Sequence, residues 1–139
     1  MKINGSCHCG HLTYRADINP DIIRVCHCTD CQSSSGSAFR VLVSVPSDQF
    51  ELLSGRTKQY FKMADSGQRR AQVFCPACGT QLYGTSDDKN PTMLSLRLGT
   101  VHERDQLLPR LQTWRRSALS WVDNLDDVEA VPRQAALHD

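Results

Sequence analysis

The chain of 139 residues predicts a mainly β protein with at most short helices. Short runs of alternating apolar and polar residues recur along it, separated by turn residues, which is the pattern of half-buried strands. No stretch carries a long apolar stripe of 3.6-residue period. All seven cysteines fall on three short stretches placed far apart, so metal bound between them would join distant segments. No repeat, low-complexity tract or linker interrupts the chain, and its length suits one domain over 1–139, with a core at about 3–125 and a tail at 126–139.

In chain order, Cys7-His8-Cys9 is followed by Gly10, which turns the backbone. Leu12, Tyr14 and Ala16 alternate with Thr13 and Arg15 as a first strand. Asn19-Pro20-Asp21 is a turn, and Ile22 to Val25 is a short strand running into Cys26. Thr29 to Gly36 is polar and starts one helical turn, capped by Thr29 or Asp30. Phe39, Val41, Val43 and Val45 give the clearest strand, ended by Pro46-Ser47-Asp48. Phe50 to Leu53 and Thr57 to Met63 are strands on either side of the Ser54-Gly55 turn, and Asp65-Ser66-Gly67 turns the chain again. Arg70 to Phe74 enters Cys75-Pro76-Ala77-Cys78, and Gln81-Leu82-Tyr83 leaves it, as strands joined by a metal knuckle do. Leu94, Leu96 and Leu98 form another strand that Gly99 closes, and Leu111 to Trp114 forms one more. Only Ser117 to Trp121 and Val128 to Leu137 could be helical.

The formal charge of +1 gives no overall electrostatic footprint for nucleic acid. The run Asp123, Asp126, Asp127, Glu129 reads as a solvated acidic tail. No apolar run approaches the ~20 residues that cross a bilayer, so no membrane partner is expected. With Met1 to Gly5 leading straight into the first cysteines, no signal peptide is read, and the expected location is the cytoplasm. Thiols stay reduced there, and an odd count of cysteines leaves one without a partner. Metal ligation is therefore expected in place of disulfides.

One C-x-C plus one C-x-x-C supplies four soft ligands, a closed tetrahedral zinc site. In an extended C-x-C both thiols point to one side, because side chains alternate across a strand. The remaining stretch, Cys26-His27-Cys28-Thr29-Asp30-Cys31, supplies three ligands and stops. A metal with an open position is what separates catalytic from structural zinc.

Gly5-Ser6-Cys7-His8-Cys9-Gly10, Cys26-His27-Cys28-x-x-Cys31, Ser35-Gly36-Ser37-Ala38-Phe39 and Phe74-Cys75-x-x-Cys78-Gly79 together resemble the glutathione-dependent formaldehyde-activating enzyme family, also called the CENP-V/GFA domain. Leu98-Gly99-Thr100, Trp114 and Trp121 before Asp123 agree with it, so the resemblance runs over about residues 3 to 125. The tail Asp126-Asp127-Val128-Glu129-Ala130 departs from the family's usual Leu-Pro-x-aromatic ending. The resemblance implies an Mss4-like all-β fold and two zinc ions per chain. Cys7, Cys9, Cys75 and Cys78 would hold a structural ion, and Cys26, Cys28 and Cys31 a catalytic one. It further implies a carbon–sulfur lyase activity that joins a small thiol, glutathione, to formaldehyde as S-hydroxymethylglutathione.

At an ion held by three thiolates, a substrate thiol is expected to enter the fourth position and lose its proton, then attack the aldehyde carbon. Alternatively, the ion polarises the aldehyde oxygen. Arg24, Arg40 and His27 are the candidate counter-charges or hydrogen-bond donors. The N–H groups and hydroxyls of Ser33, Ser34 and Ser35 could bind the substrate's carboxylates or a zinc-bound water. His8 and His27 sit between paired cysteines and should face away from the metals. His11, His102 or His138 could instead close the second site as a fourth ligand. Trp114 and Trp121 read as core residues before pocket residues. No phosphate loop, HExxH or GxSxG is present. The competing function is a non-catalytic zinc module that binds a protein partner. The sequence is silent on oligomeric state.

Overall fold

A computed structural model describes residues 1–134, and the chain is mainly β, as expected. Strands β1 (Lys2–Ser6), β2 (Thr13–Asp17) and β5 (Phe50–Ser54) form a three-stranded antiparallel sheet in the order β1-β2-β5. The second sheet has seven strands in the order β10-β3-β4-β9-β8-β7-β6. They are β3 (Arg24–Cys26), β4 (Arg40–Pro46), β6 (Lys58–Met63), β7 (Arg69–Phe74), β8 (Gln81–Ser86), β9 (Met93–Arg97) and β10 (Leu111–Thr113). All neighbours pair antiparallel except β10, which runs parallel to β3.

The core lies between the two sheets. Ile3, Leu12, Tyr14 and Ala16 meet Val43, Val45, Leu82, Leu96 and Val101, all buried. Gly5 in β1 is required by this packing. A Cβ there would lie 2.1 Å from Cζ of Tyr14, whose hydroxyl hydrogen-bonds Thr100 Oγ1 at 2.7 Å.

The other face of the large sheet is polar. Register pairs Cys26 with Arg40, Leu42 with Arg97, Ser44 with Ser95, and Gln72 with Gly84, so these side chains share that face. The single α-helix among the described residues, α1 (Thr29–Ser35), buries Cys31 beside Cys26 and Leu42 of that face. Its cap is not Thr29 or Asp30 but Cys28, whose sulfur accepts from the Cys31 N–H at 3.3 Å. Gly36 ends it at φ 63°.

Several local expectations change. β1 carries only Ile3 as a core residue, too little for a visible alternation. The strands flanking Ser54-Gly55 do not pair with each other: β5 joins the small sheet and β6 the far edge of the large one. Ile22 belongs to a 3-10 turn (Pro20–Ile22) that Asn19 caps. The segment Ser117–Trp121 is not an α-helix; 3-10 turns occupy Arg115–Ser117 and Val122–Asp127. Of the helix expected over Val128 to Leu137, residues 128–134 are irregular, and 135–137 lie outside the described residues.

Candidate metal centres

Two hairpin connections bring four cysteines together. Cys7 and Cys9 lie on the turn from β1 to β2, and Cys75 and Cys78 on the turn from β7 to β8. The turns use the same hydrogen bonds: Cys7 N–H donates to Leu12 O at 3.0 Å, and Cys75 N–H to Thr80 O at 2.9 Å. Gly10 at φ 79° and Gly79 at φ 76° allow each reversal. The first C-x-C is therefore a tight turn, closed by Gly10 N–H to Cys7 O at 3.1 Å, and not extended backbone. In a turn the sulfurs converge through backbone curvature, not through strand alternation.

All four sulfurs lie within 4.8 Å of one another. Cys7 Sγ to Cys9 Sγ is 3.6 Å and Cys9 Sγ to Cys75 Sγ is 3.8 Å. Four thiolates at a Zn–S distance of ≈ 2.3 Å give tetrahedral edges of about 3.8 Å, so this donor set fits zinc. Bonded sulfurs would stand about 2 Å apart.

Leu12 N–H donates to the Cys7 sulfur at 3.2 Å. Thr80 Oγ1 accepts from the His8 amide at 3.1 Å and stands 3.1 Å from the Cys78 sulfur, to which its own proton is free to donate. This bond, with the Thr80 and Cys9 amides, lowers the Cys78 thiol to about 5. A group lowered in the folded state adds stability above its unfolded value, near 9, that is lost as pH falls through the folded one. Metal binding, which needs deprotonated thiols, weakens in the same direction. At fixed zinc, Tm is therefore expected to fall as pH drops from 9 towards 5. Thr80→Val should move the fall to higher pH; coincident melting profiles for variant and wild type would count against this role of Thr80.

The second cluster sits where β3 runs into α1. Here the C-x-C is extended, and Cys26 and Cys28 share a side while His27 turns away and is fully buried. The sulfurs of Cys26, Cys28 and Cys31 lie within 4.8 Å of one another, and no other histidine, cysteine or carboxylate among the described residues joins them. A hydrogen bond from the Cys31 thiol lowers Cys26 against the opposing effect of burial, with the Cys28 amide and the Thr113 hydroxyl assisting. The same bond and burial push Cys31 up. Of these two buried sulfurs, Cys26 is thus the one favoured as thiolate and Cys31 the one that keeps its proton.

β10 walls this cluster from 85 residues downstream. Its parallel register sets Thr113 beside Cys26, and Gln112 Oε1 lies 2.7 Å from His27 Nε2. His27 Nδ1 has no partner, and its ring meets Phe39 edge-on. Gln32 Nε2 clamps α1 to both walls, donating to His27 O at 2.7 Å and Ser117 O at 2.9 Å. Beyond β10, Trp114 adopts φ 55°, a left-handed conformation costly for a bulky residue. It lines a hollow of about 430 Å³ together with Cys28, Asp30, Asp65 and Arg116. Trp114 and Trp121 are 44% and 49% exposed, so the expectation that they pack in the core is overturned.

Neither His11 nor His102 supplies a fourth ligand. His11 Nε2 accepts from the Arg56 amide at 3.4 Å, and His102 Nε2 meets Ser6 Oγ at 3.0 Å. His138 lies outside the described residues. His8 is exposed. Arg40 stands directly across from Cys26, whereas Arg24 donates to Ser44 Oγ at 2.8 Å. Ser34 and Ser35 line a second cleft, which Ser33 does not. Gln112, Thr113 and Arg97 carried no motif that sequence reading could have found.

The fold and its two all-cysteine clusters define a mainly β protein able to hold two metal ions of zinc type. Residues 2–117 match the model of the glutathione-dependent formaldehyde-activating enzyme family, and the chain belongs to that family. Among curated proteins, it is 25% identical over 87 residues to a Penicillium rubens protein named "Putative glutathione-dependent formaldehyde-activating enzyme". That match covers 61% of this chain and 44% of the relative, so the chain spans less than half of that relative's length. A crystal structure of a Rhodobacter sphaeroides protein, a structural genomics target, superposes with a TM-score of 0.59 at 16% identity. It covers 79% of this chain and 99% of that one, a likeness of fold alone.

Proposed function

We propose that the protein is a carbon–sulfur lyase that joins a glutathione-like thiol to an aldehyde such as formaldehyde, with two zinc ions per chain. Cys7, Cys9, Cys75 and Cys78 are read as the saturated, structural set, and Cys26, Cys28 and Cys31 as the catalytic set. The observation that carries this reading is the trio's ligand count, three sulfurs and no fourth group, beside a hollow. Zinc bound there would lower the pKa of an incoming thiol and keep it as thiolate at neutral pH.

The chain's own residues do the rest. Cys26 and Cys31 are buried and fix the inner side of the cluster, while half-buried Cys28 borders the hollow from which a substrate enters. Trp114 and Arg116, whose guanidinium lies 5.1 Å from the indole, shield one side of that hollow. Asp65 offers a carboxylate that takes up the thiol's proton, whereas Asp30 at the same hollow is held by Lys62 in an ion pair. The balance is simple: the sulfur–carbon bond forms as the carbonyl π bond opens, and the proton returns to the aldehyde oxygen.

Seven reduced cysteines fit a reducing compartment, and the cytoplasm is the proposed location. Sharing one core between the sheets supports reading 1–139 as one domain. No helix among the described residues is long and apolar enough to cross a membrane. The alternative, a non-catalytic module for a protein partner, is favoured by exposed Leu108, Leu111, Trp121 and Leu125. Exchange spectroscopy of glutathione with formaldehyde separates the two. The enzyme reading expects adduct formation and breakdown well above the spontaneous rate at micromolar zinc-loaded protein. An unchanged exchange rate overturns it.

A further inference from the structure

The polar face of the large sheet carries two buried arginines beside the thiol trio, Arg40 and Arg97, and no carboxylate lines the cleft they share. Arg40 and Arg97 are 8% and 7% exposed, and neither guanidinium meets a carboxylate in any ion pair among the described residues. Their side-chain partners are neutral amides. Arg40 donates to Gln81 Oε1 at 2.9 Å and Gln72 Oε1 at 3.5 Å, and Arg97 donates to Gln72 Oε1 at 2.6 Å. Arg97 Nε has no partner. Burial, then the charge of Arg40, lowers Arg97 to about 9. A buried cation without an anion is costly, and its unused donors have a fixed fork geometry that matches a carboxylate.

The two arginines line one cleft of about 480 Å³, with Ser34, Ser35, Phe39 and Gln81 and no acidic residue. Gly84 keeps the space over the sheet open for Arg97, since a Cβ there would stand 2.9 Å from its Nη2. Arg40 is the cross-strand neighbour of Cys26, which puts their Cβ atoms about 5 Å apart on the same face. The cleft lies on the trio's other side from the hollow at Cys28. Ser34 and Ser35 at the end of α1 line the cleft, Thr29 and Asp30 at the start of α1 line the hollow, and the trio lies between.

We propose that this cleft is a carboxylate subsite, in which Arg40 and Arg97 hold the carboxylate of the thiol whose sulfur reaches Cys26, Cys28 and Cys31. The second half rests on the thiol–aldehyde reading above; the anion site itself does not. A carboxylate one or two residues from the reacting cysteine spans the gap, because two extended residues reach about 7 Å. Arg40 and Arg97 are therefore the residues that set a preference for a thiol carrying a free acid over a simple alkyl thiol. The competing role for the arginines, balancing thiolate charge alone, predicts that their loss lowers zinc content and leaves ligand binding untouched.

The test uses zinc-loaded full-length protein and S-methylglutathione, which keeps the carboxylates but offers no thiolate, compared by calorimetry with its diethyl ester. The acid is expected to bind at least about tenfold more tightly than the ester, as charge-assisted bonds to two guanidiniums require. Arg97→Met and Arg40→Met should each remove that preference, keep two zinc ions, and leave ester binding unchanged. Arg97→Met should also melt no lower than wild type, because it removes an unpartnered buried charge. Equal binding of acid and ester overturns the subsite, and needs no variant to fold. So does an acid preference that survives both substitutions, or variants that lose zinc. If S-methylglutathione binds as described but glutathione and formaldehyde show no accelerated exchange, the subsite stands and the thiol–aldehyde reading falls.

Discussion

Cys75→Ser is expected to unfold the protein under conditions where wild type is folded, and to release the structural zinc. Cys75 is fully buried at the end of β7, and Cys9 and Cys75 are 66 residues apart, one on each sheet's hairpin turn. An ion held by these four sulfurs would thus link the two sheets across the core they share. Structural zinc sites contribute about 10–16 kcal/mol in small domains at neutral pH. A whole domain is stable by only about 5–15 kcal/mol, so loss of this ion exceeds the margin. Circular dichroism melting with metal analysis decides it. A serine variant that melts within a few degrees of wild type would show that the sheets hold together without the ion.

Cys28→Ser is expected to do the opposite: keep the fold and stop the reaction. Cys28 is the N-cap of α1, and its sulfur accepts the Cys31 N–H. Serine is among the best N-cap residues, so the substitution preserves the cap while removing a soft ligand. Zinc content should fall from two ions to one, Tm should change by only a few degrees, and the catalysed exchange should drop by at least about 100-fold, or ~2.7 kcal/mol in the barrier. Full activity in this variant would place the chemistry elsewhere.

Sequence reading was strongest where residue type alone constrains structure. Cysteine spacing grouped both clusters, because a sulfur's reach is short and turns are tight. Alternation located β2, β4 and β9, and the cysteine knuckle located β7, each strand with one face in the core. The same alternation concealed the sheet's other face. Arg40 and Arg97 sit at outward positions yet are buried, since α1 and the neighbouring turns cover them. Propensity gives no signal for such a charge. Trp114 misled for a related reason: a large aromatic is usually core, but the backbone at φ 55° aims it into the hollow beside Cys28. The pairing of β5 and β6 with different sheets depends on contacts far away in the chain, which the Ser54-Gly55 turn does not encode.

Because β10 is the last strand in chain order yet pairs with β3, the third, the trio's outer wall arrives last during synthesis. The inter-sheet staple has all its sulfurs once residue 78 has emerged, whereas Thr113, Trp114 and Ser117 follow later. A chain of which only about the first 100 residues have emerged would therefore hold all four sulfurs of the inter-sheet set and an unroofed trio, open to other thiophilic cations. Which metal fills the trio would then depend on the speed with which the last strand docks.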